Sequence, residues 1–114
     1  MTLVAAVVAS AAADGPLRLY AAPNPFVAGY APARLFYTLP THGTVSIRVY
    51  DREGNLVRTL ATNADREAGP NGRDEWNGRD SDGELVPMGP YVIVVEAKTG
   101  GEVRTDRFVA VVKR

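Results

Sequence analysis

Hydrophobic and polar positions alternate with a period of two over much of the chain, the repeat that sends successive side chains to opposite faces of a β-strand. Leu17-Arg18-Leu19-Tyr20 alternates briefly before Ala22-Pro23-Asn24-Pro25 breaks the pattern. Arg34 to Leu39 follows, with Leu35, Tyr37 and Leu39 on one face and Arg34 and Thr38 on the other, the mark of a strand half-buried against a core. Beyond the turn Pro40-Thr41-His42-Gly43, Val45, Ile47 and Val49 are expected to point inward and Ser46 and Arg48 outward. Asp51-Arg52-Glu53-Gly54 closes a hairpin in which Gly54 takes a left-handed conformation, and Leu56 to Leu60 returns. Asn63 to Arg73 is polar, contains Gly69-Pro70-Asn71-Gly72, and reads as a long loop before a strand carrying Trp76. Asp80-Ser81-Asp82-Gly83 is the next turn, and two β-branched runs, Tyr91 to Ala97 and Val103 to Val112, meet at Thr99-Gly100-Gly101. The pattern predicts an all-β chain of about seven short strands.

Residues 1–16 follow a different pattern. Thr2 to Ala13 reads TLVAAVVASAAA, apolar or small on both faces and uncharged, and ends at the breaker Asp14-Gly15-Pro16. As a helix it would rise about 18 Å, short of the roughly 30 Å hydrocarbon core, so it is no membrane span. Extended, it would run about 36 Å. Three readings stay open: a strand donated to a neighbouring subunit, a strand of its own domain, or the remnant of a signal peptide, for which Ala11-Ala12-Ala13 supplies small residues but no basic segment precedes the run. On the first reading Leu3, Val4, Val7 and Val8 form the assembly interface, as knobs in a neighbour's core groove, and Asp14, Gly15 and Pro16 form the hinge.

Composition narrows the class. The 114 residues fit one domain, and 11 Gly with 8 Pro spread between apolar runs favour short strands over long helices. Thirteen basic and thirteen acidic residues cancel, so no global field draws nucleic acid or an anionic membrane. The balance is uneven along the chain: residues 1–50 sum to +2, 51–100 to −4 and 101–114 to +2. With no Cys, disulfides and thiolate chemistry are excluded.

Seven strands at this spacing suggest two sheets packed as an immunoglobulin-like sandwich over residues 17–114, with Trp76 and Tyr91 as core anchors. An ordered series of motifs carries a resemblance: Pro23-Asn24-Pro25-Phe26, Tyr37-Thr38-Leu39-Pro40, Val49-Tyr50-Asp51, Gly54, Val57-Arg58-Thr59-Leu60, Ala68-Gly69, Trp76-Asn77-Gly78-Arg79-Asp80, Gly83 and Gly89-Pro90-Tyr91. Over about residues 19–112 the chain resembles the immunoglobulin-like domain of the flagellar hook-capping protein, to which C-terminal modules of secreted bacterial proteins, some of the type IX sorting kind, are related. The resemblance implies extracellular assembly, attachment or sorting, and brings no catalytic residues.

The side chains with chemical potential fit structure better than catalysis. Asp80, Asp82 and Glu84 open like a calcium loop, but no Gly stands at the sixth position and no Glu at the twelfth, so no metal is assigned. His42 is the sole imidazole and lies in a turn, with no local support for a triad built from Ser10, Ser46 or Ser81. Asp74 and Glu75, adjacent on a strand, face opposite ways and cannot flank one glycosidic bond. Tyr20, Tyr30 and Tyr50 are read as packing aromatics before a sugar platform. The sequence therefore predicts a secreted, noncatalytic, cofactor-free subunit that polymerises with copies of itself; the alternative is an accessory or sorting domain of a larger secreted protein. A surface glycan or the secretion machinery are further conceivable partners.

Overall fold

Nine strands form two facing sheets in the computed structural model, which describes residues 17–114. They are β1 (Tyr20–Ala22), β2 (Phe26–Val27), β3 (Ala33–Leu39), β4 (Gly43–Tyr50), β5 (Leu56–Arg66), β6 (Gly69–Asn71), β7 (Glu75–Trp76), β8 (Gly89–Thr99) and β9 (Glu102–Lys113). In the first sheet β3 is central, with β1 antiparallel on one side and β6 and β7 in succession on the other. The second runs β2-β9-β8-β4-β5 and is antiparallel except where β2 lies parallel to β9. Between β6 and β7 the Leu35 amide donates to the Asp74 carbonyl at 2.8 Å, which carries the ladder across the gap and makes the pair one interrupted strand. The leg β1–β2 likewise crosses from one sheet to the other at Pro23-Asn24-Pro25. Counted this way, the nine strands occupy the seven positions of an immunoglobulin-like sandwich.

Alternation decides what enters the core. Leu17, Leu19 and Ala21 are buried while Arg18, Tyr20 and Ala22 are exposed, and Leu35, Tyr37 and Leu39 face Val45, Ile47, Val49, Ile93 and Val95 across the sandwich. Trp76, fully buried, reaches from the first sheet between Phe26 and Tyr91 of the second, with ring centroids 5.5 and 5.3 Å away in edge-on geometry. Its indole Nε1 donates to the Arg79 carbonyl at 2.9 Å, so its one polar atom is satisfied inside the core. The following turn is built around this contact. Asn77 Oδ1 accepts the Arg79 amide at 3.1 Å, and Gly78, at φ +80°, passes so close to Ala28 that a Cβ would overlap it.

Two stretches differ from the sequence reading. The segment expected to be loop from Asn63 is strand as far as Arg66, and β6 follows after two residues. Ser46, expected outside, is buried at 5% exposure. A bulge accounts for both: β4 advances from Val45 to Ile47 while β5 moves from Ala64 to Ala61, Asn63 takes φ 45°, and its displaced amide donates to Ser46 Oγ at 3.0 Å. The extra residue lets β5 keep pairing with β4 despite a polar sequence.

The same polar stretch carries a buried ion pair. Arg66 Nε donates to Asp74 Oδ2 at 3.1 Å and its Nη2 to Oδ1, while the Tyr37 hydroxyl donates to Oδ2 at 2.7 Å. Both charged side chains are about nine-tenths buried. Burial alone would raise the Asp74 carboxyl, but hydrogen bonds from Arg66 and Tyr37 and the Arg66 charge outweigh it and hold Asp74 below the usual carboxylate range. Burial, then the hydrogen bond to Asp74, pushes the Tyr37 phenol well above its ordinary value.

Two stability predictions follow from this packing. Trp76→Ala is expected to lower the unfolding free energy by about 3–5 kcal/mol, read by urea denaturation with far-ultraviolet circular dichroism; a loss below about 1 kcal/mol would remove Trp76 from the centre of the core. Asp74→Asn leaves Arg66 buried without a counter-charge and is expected to cost about 3–5 kcal/mol at neutral pH. Because Asp74 titrates lower in the folded chain than in the unfolded one, its contribution is complete above about pH 4 and is lost as pH falls through the folded value. The gap in melting temperature between wild type and variant should therefore narrow in acid, and a gap constant from pH 7 to 2 would count against the pair.

Candidate functional site

Leu3, Val4, Val7 and Val8, expected to form the interface, and the hinge residues Asp14, Gly15 and Pro16 lie outside the described residues. What is described is the point where that segment joins the sandwich. Leu17 is fully buried, and its carbonyl accepts the Thr38 amide at 2.8 Å, so β1's leg continues beside the end of β3. A slot of about 250 Å³ opens there, lined by Leu17, Arg18, Thr38, Pro40 and Arg104.

At the opposite end of β4 lies a wider cleft of about 470 Å³, between the β4–β5 turn and the segment leading into β8. Two turns of identical design form its rim. Asp51 Oδ1 accepts the amides of Glu53 and Asn55 at 3.0 and 2.9 Å, and Asp80 Oδ1 accepts those of Asp82 and Glu84 at 2.9 and 3.0 Å. In each, the Asp carbonyl also accepts the amide of a glycine at positive φ, Gly54 or Gly83, a conformation in which a side chain is strained. These carboxylates close turns. Ser81 Oγ donates to the Val57 carbonyl at 3.2 Å, and Tyr91, packed on Trp76, donates its hydroxyl to the Pro87 carbonyl at 2.7 Å; burial raises its phenol above the ordinary value. Asp51, Asp80, Ser81 and Tyr91 are thus engaged in holding the walls of the cleft, while Leu56 and Met88 stand 51% and 62% exposed at its edge.

The remaining candidates do not converge. His42 lies in the β3–β4 turn, a strand length of about 26 Å from the cleft, and its one charged neighbour among the described residues is Asp65, at 3.9 Å with both side chains exposed. Tyr50, with Val92 and Val94, packs on the outer face of the second sheet; Tyr20 stacks on Phe36 at 4.9 Å on the outer face of the first; Tyr30 projects at 86% exposure. No shared platform results. Asp74 is buried and Glu75 exposed, as adjacent strand residues must be. Sequence reading missed the Arg66–Asp74 pair, since nothing local distinguishes a buried carboxylate from a solvated one.

A family model described as the FlgD Ig-like domain matches residues 26–101, more than half of the chain. Among solved structures, the chain is similar to FlgD from P. aeruginosa, with 23% identity and a TM-score of 0.57 over 71% of this chain and 58% of that one. It is also similar to PorZ, described as an essential bacterial surface component of the type-IX secretion system of Porphyromonas gingivalis, with 21% identity and a TM-score of 0.50 over 84% of this chain and 11% of that one. At these identities the likeness is one of fold. No curated protein matches. The span matched by the family model carries both aspartate turns and the Trp76–Tyr91 centre, and the chain belongs to the FlgD Ig-like domain family, a family of noncatalytic modules.

Proposed function

We propose that this chain is an extracellular structural module that assembles with copies of itself through its N-terminal segment. One observation carries the reading: residues 17–114 already fill the seven strand positions of the sandwich, yet the chain also bears the uncharged apolar run Thr2 to Ala13. A segment that its own fold does not need for completion, and that water disfavours, is best covered by a neighbour. Burying Leu3, Val4, Val7 and Val8 would contribute about 6–12 kcal/mol at roughly 1.5–3 per side chain, before the cost of ordering both partners. Since the strand positions are filled, addition to a sheet edge is a better physical picture than insertion into an empty core groove. Transfer from a segment on one subunit to a different surface on the next is a head-to-tail contact, which builds open filaments or rings.

An extracellular or surface location is supported by the description of PorZ as a bacterial surface component; among the described residues no helix is long and apolar enough to cross a membrane. A second reading, an accessory or sorting domain of a larger secreted protein, is favoured by the share of each solved relative that the likeness covers, 58% and 11%. There the same fold is one part of a longer chain, and the partner would be secretion machinery.

Deleting residues 2–13, or substituting Val7→Asp, is expected to convert assemblies of the full chain into soluble monomers, read by negative-stain electron microscopy and light scattering, with mass spectrometry of the N-terminus. Fibres that persist after the deletion would take the segment out of the mechanism. A full-length chain with an intact N-terminus that stays monomeric at high concentration would favour the accessory-domain reading.

A further inference from the structure

Exposed apolar surface is concentrated at the end of the sandwich that carries the β4–β5 turn. Of the seven large hydrophobic side chains that stand most exposed among the described residues, five lie there. Leu56, Leu85 and Met88 line the cleft. Val109 and Val111, at 48% and 37% exposure, project from the outer face of β9 opposite Val92 and Pro90 of β8, and Val92 in turn lies opposite Tyr50 at the end of β4. A single exposed valine is ordinary in a strand, but five such side chains sharing one end with a cleft of about 470 Å³ form a patch.

Charge divides this patch in two. The exposed carboxylates Glu53 and Asp82 line the cleft, one from each aspartate turn, and Glu84 follows in the second turn. With the turn-closing Asp51 and Asp80 they make five acids. Arg52 also lines the cleft, Arg114 donates to the Val86 carbonyl at 2.9 Å and Arg79 to the Gly83 carbonyl at 2.8 Å, so five acids against three arginines leave the rim negative. The outer face of β9 has the opposite sign. Arg107, Val109, Val111 and Lys113 alternate with inward-facing residues and are all exposed, which places two valines between two cations along about 20 Å of strand.

We infer that the cleft and the outer face of β9 are the two halves of one contact between copies of this chain, in which Arg107, Val109, Val111 and Lys113 of each copy seat against the acidic, leucine- and methionine-lined cleft of the other. The halves match in both kinds of surface: valines meet Leu56, Leu85 and Met88, and the flanking cations meet Glu53, Asp82 and Glu84. A chain cannot seat this stripe in its own cleft, because Pro90, which lines the cleft, is paired with Val111 and holds the two surfaces side by side. Adjoining complementary halves are what a two-fold contact requires, since each copy gives and receives at once. Side chains make the contact: Asn24 already takes the Val109 carbonyl and the Val111 amide at the edge of β9, which discourages an added strand. No residue of the N-terminal segment takes part, so the contact goes beyond the assembly reading above, pairing copies where the segment would link them head to tail.

The test uses the full-length chain carrying Val7→Asp, which on the assembly reading cannot donate its segment, and follows its association by analytical ultracentrifugation. Dimers are expected. Arg107→Glu with Lys113→Glu, or Glu53→Lys with Asp82→Lys, should each raise the dissociation constant by about tenfold or more, and all four changes together should restore it, because both halves then carry exchanged signs. Far-ultraviolet circular dichroism checks folding; where a charge-reversed chain fails to fold, Met88→Asp and Val111→Asp, each at an exposed position, carry the same test. A Val7→Asp chain that remains monomeric at about 1 mM, or dimers that none of these changes weakens, would overturn the contact. Dimers of Val7→Asp without larger assemblies of wild type would leave the contact standing and remove the N-terminal reading, while larger assemblies of wild type beside monomeric Val7→Asp would do the reverse.

Discussion

The packing of Trp76 between Phe26 and Tyr91 is the contact on which the rest of the sandwich depends, because it ties the two shortest strands to the long strand β8 across the sheets. β7, which carries Trp76, and β2, which carries Phe26, are two residues each. Backbone pairing this short does little on its own, so the aromatic cluster fixes these strands instead. The indole hydrogen bond to Arg79 then sets the path of the turn after β7, and with it the Asn77 and Gly78 contacts against β2's continuation. The family motif Trp76-Asn77-Gly78-Arg79-Asp80 is thus a set of consecutive structural tasks: fill the core, close the turn, permit the close approach, accept the indole proton, and start the next turn.

How much of this was legible in the sequence depends on the range of the forces involved. Leu35, Tyr37, Leu39, Val45, Ile47 and Val49 announce their strands by alternation because burial on one face is a local periodic demand. Gly54, Gly83 and the Gly100-Gly101 pair announce turns because positive φ is costly for other residues. The far half of β5 left no such mark. It is a strand because β4 offers a full ladder beside it, and the bulge at Asn63 absorbs the mismatch in spacing. Tertiary context overrode a polar sequence. Arg66, Asp74 and Tyr37 were equally silent, since the bonds among them span up to 37 positions and the burial that gives them meaning comes from the assembled sheets.

Polar side chains in the sandwich are used mainly to satisfy backbone that pairing leaves over. Asp51 and Asp80 collect turn amides, Ser46 takes the amide displaced by the bulge, Ser81 covers a carbonyl at the β5 edge, and Asn24 covers a carbonyl and an amide at the β9 edge. A catalytic site needs the reverse, with donors and acceptors held ready for a substrate. Of the acids that looked most like ligands or general bases, Asp74 and Asp80 are committed to the fold, while Glu75, Asp82 and Glu84 are exposed. That fits the noncatalytic character of the FlgD Ig-like domain family.

The distribution of these caps along the sheet edges carries the argument furthest. A β-sandwich leaves the outer strands of its sheets with unpaired groups, and an unprotected edge invites another strand. Here the second sheet is guarded by a bulge and Ser81 on β5, and by β2 and Asn24 on the C-terminal half of β9, so an irregularity and a few polar side chains take up edge groups that would otherwise invite a further strand.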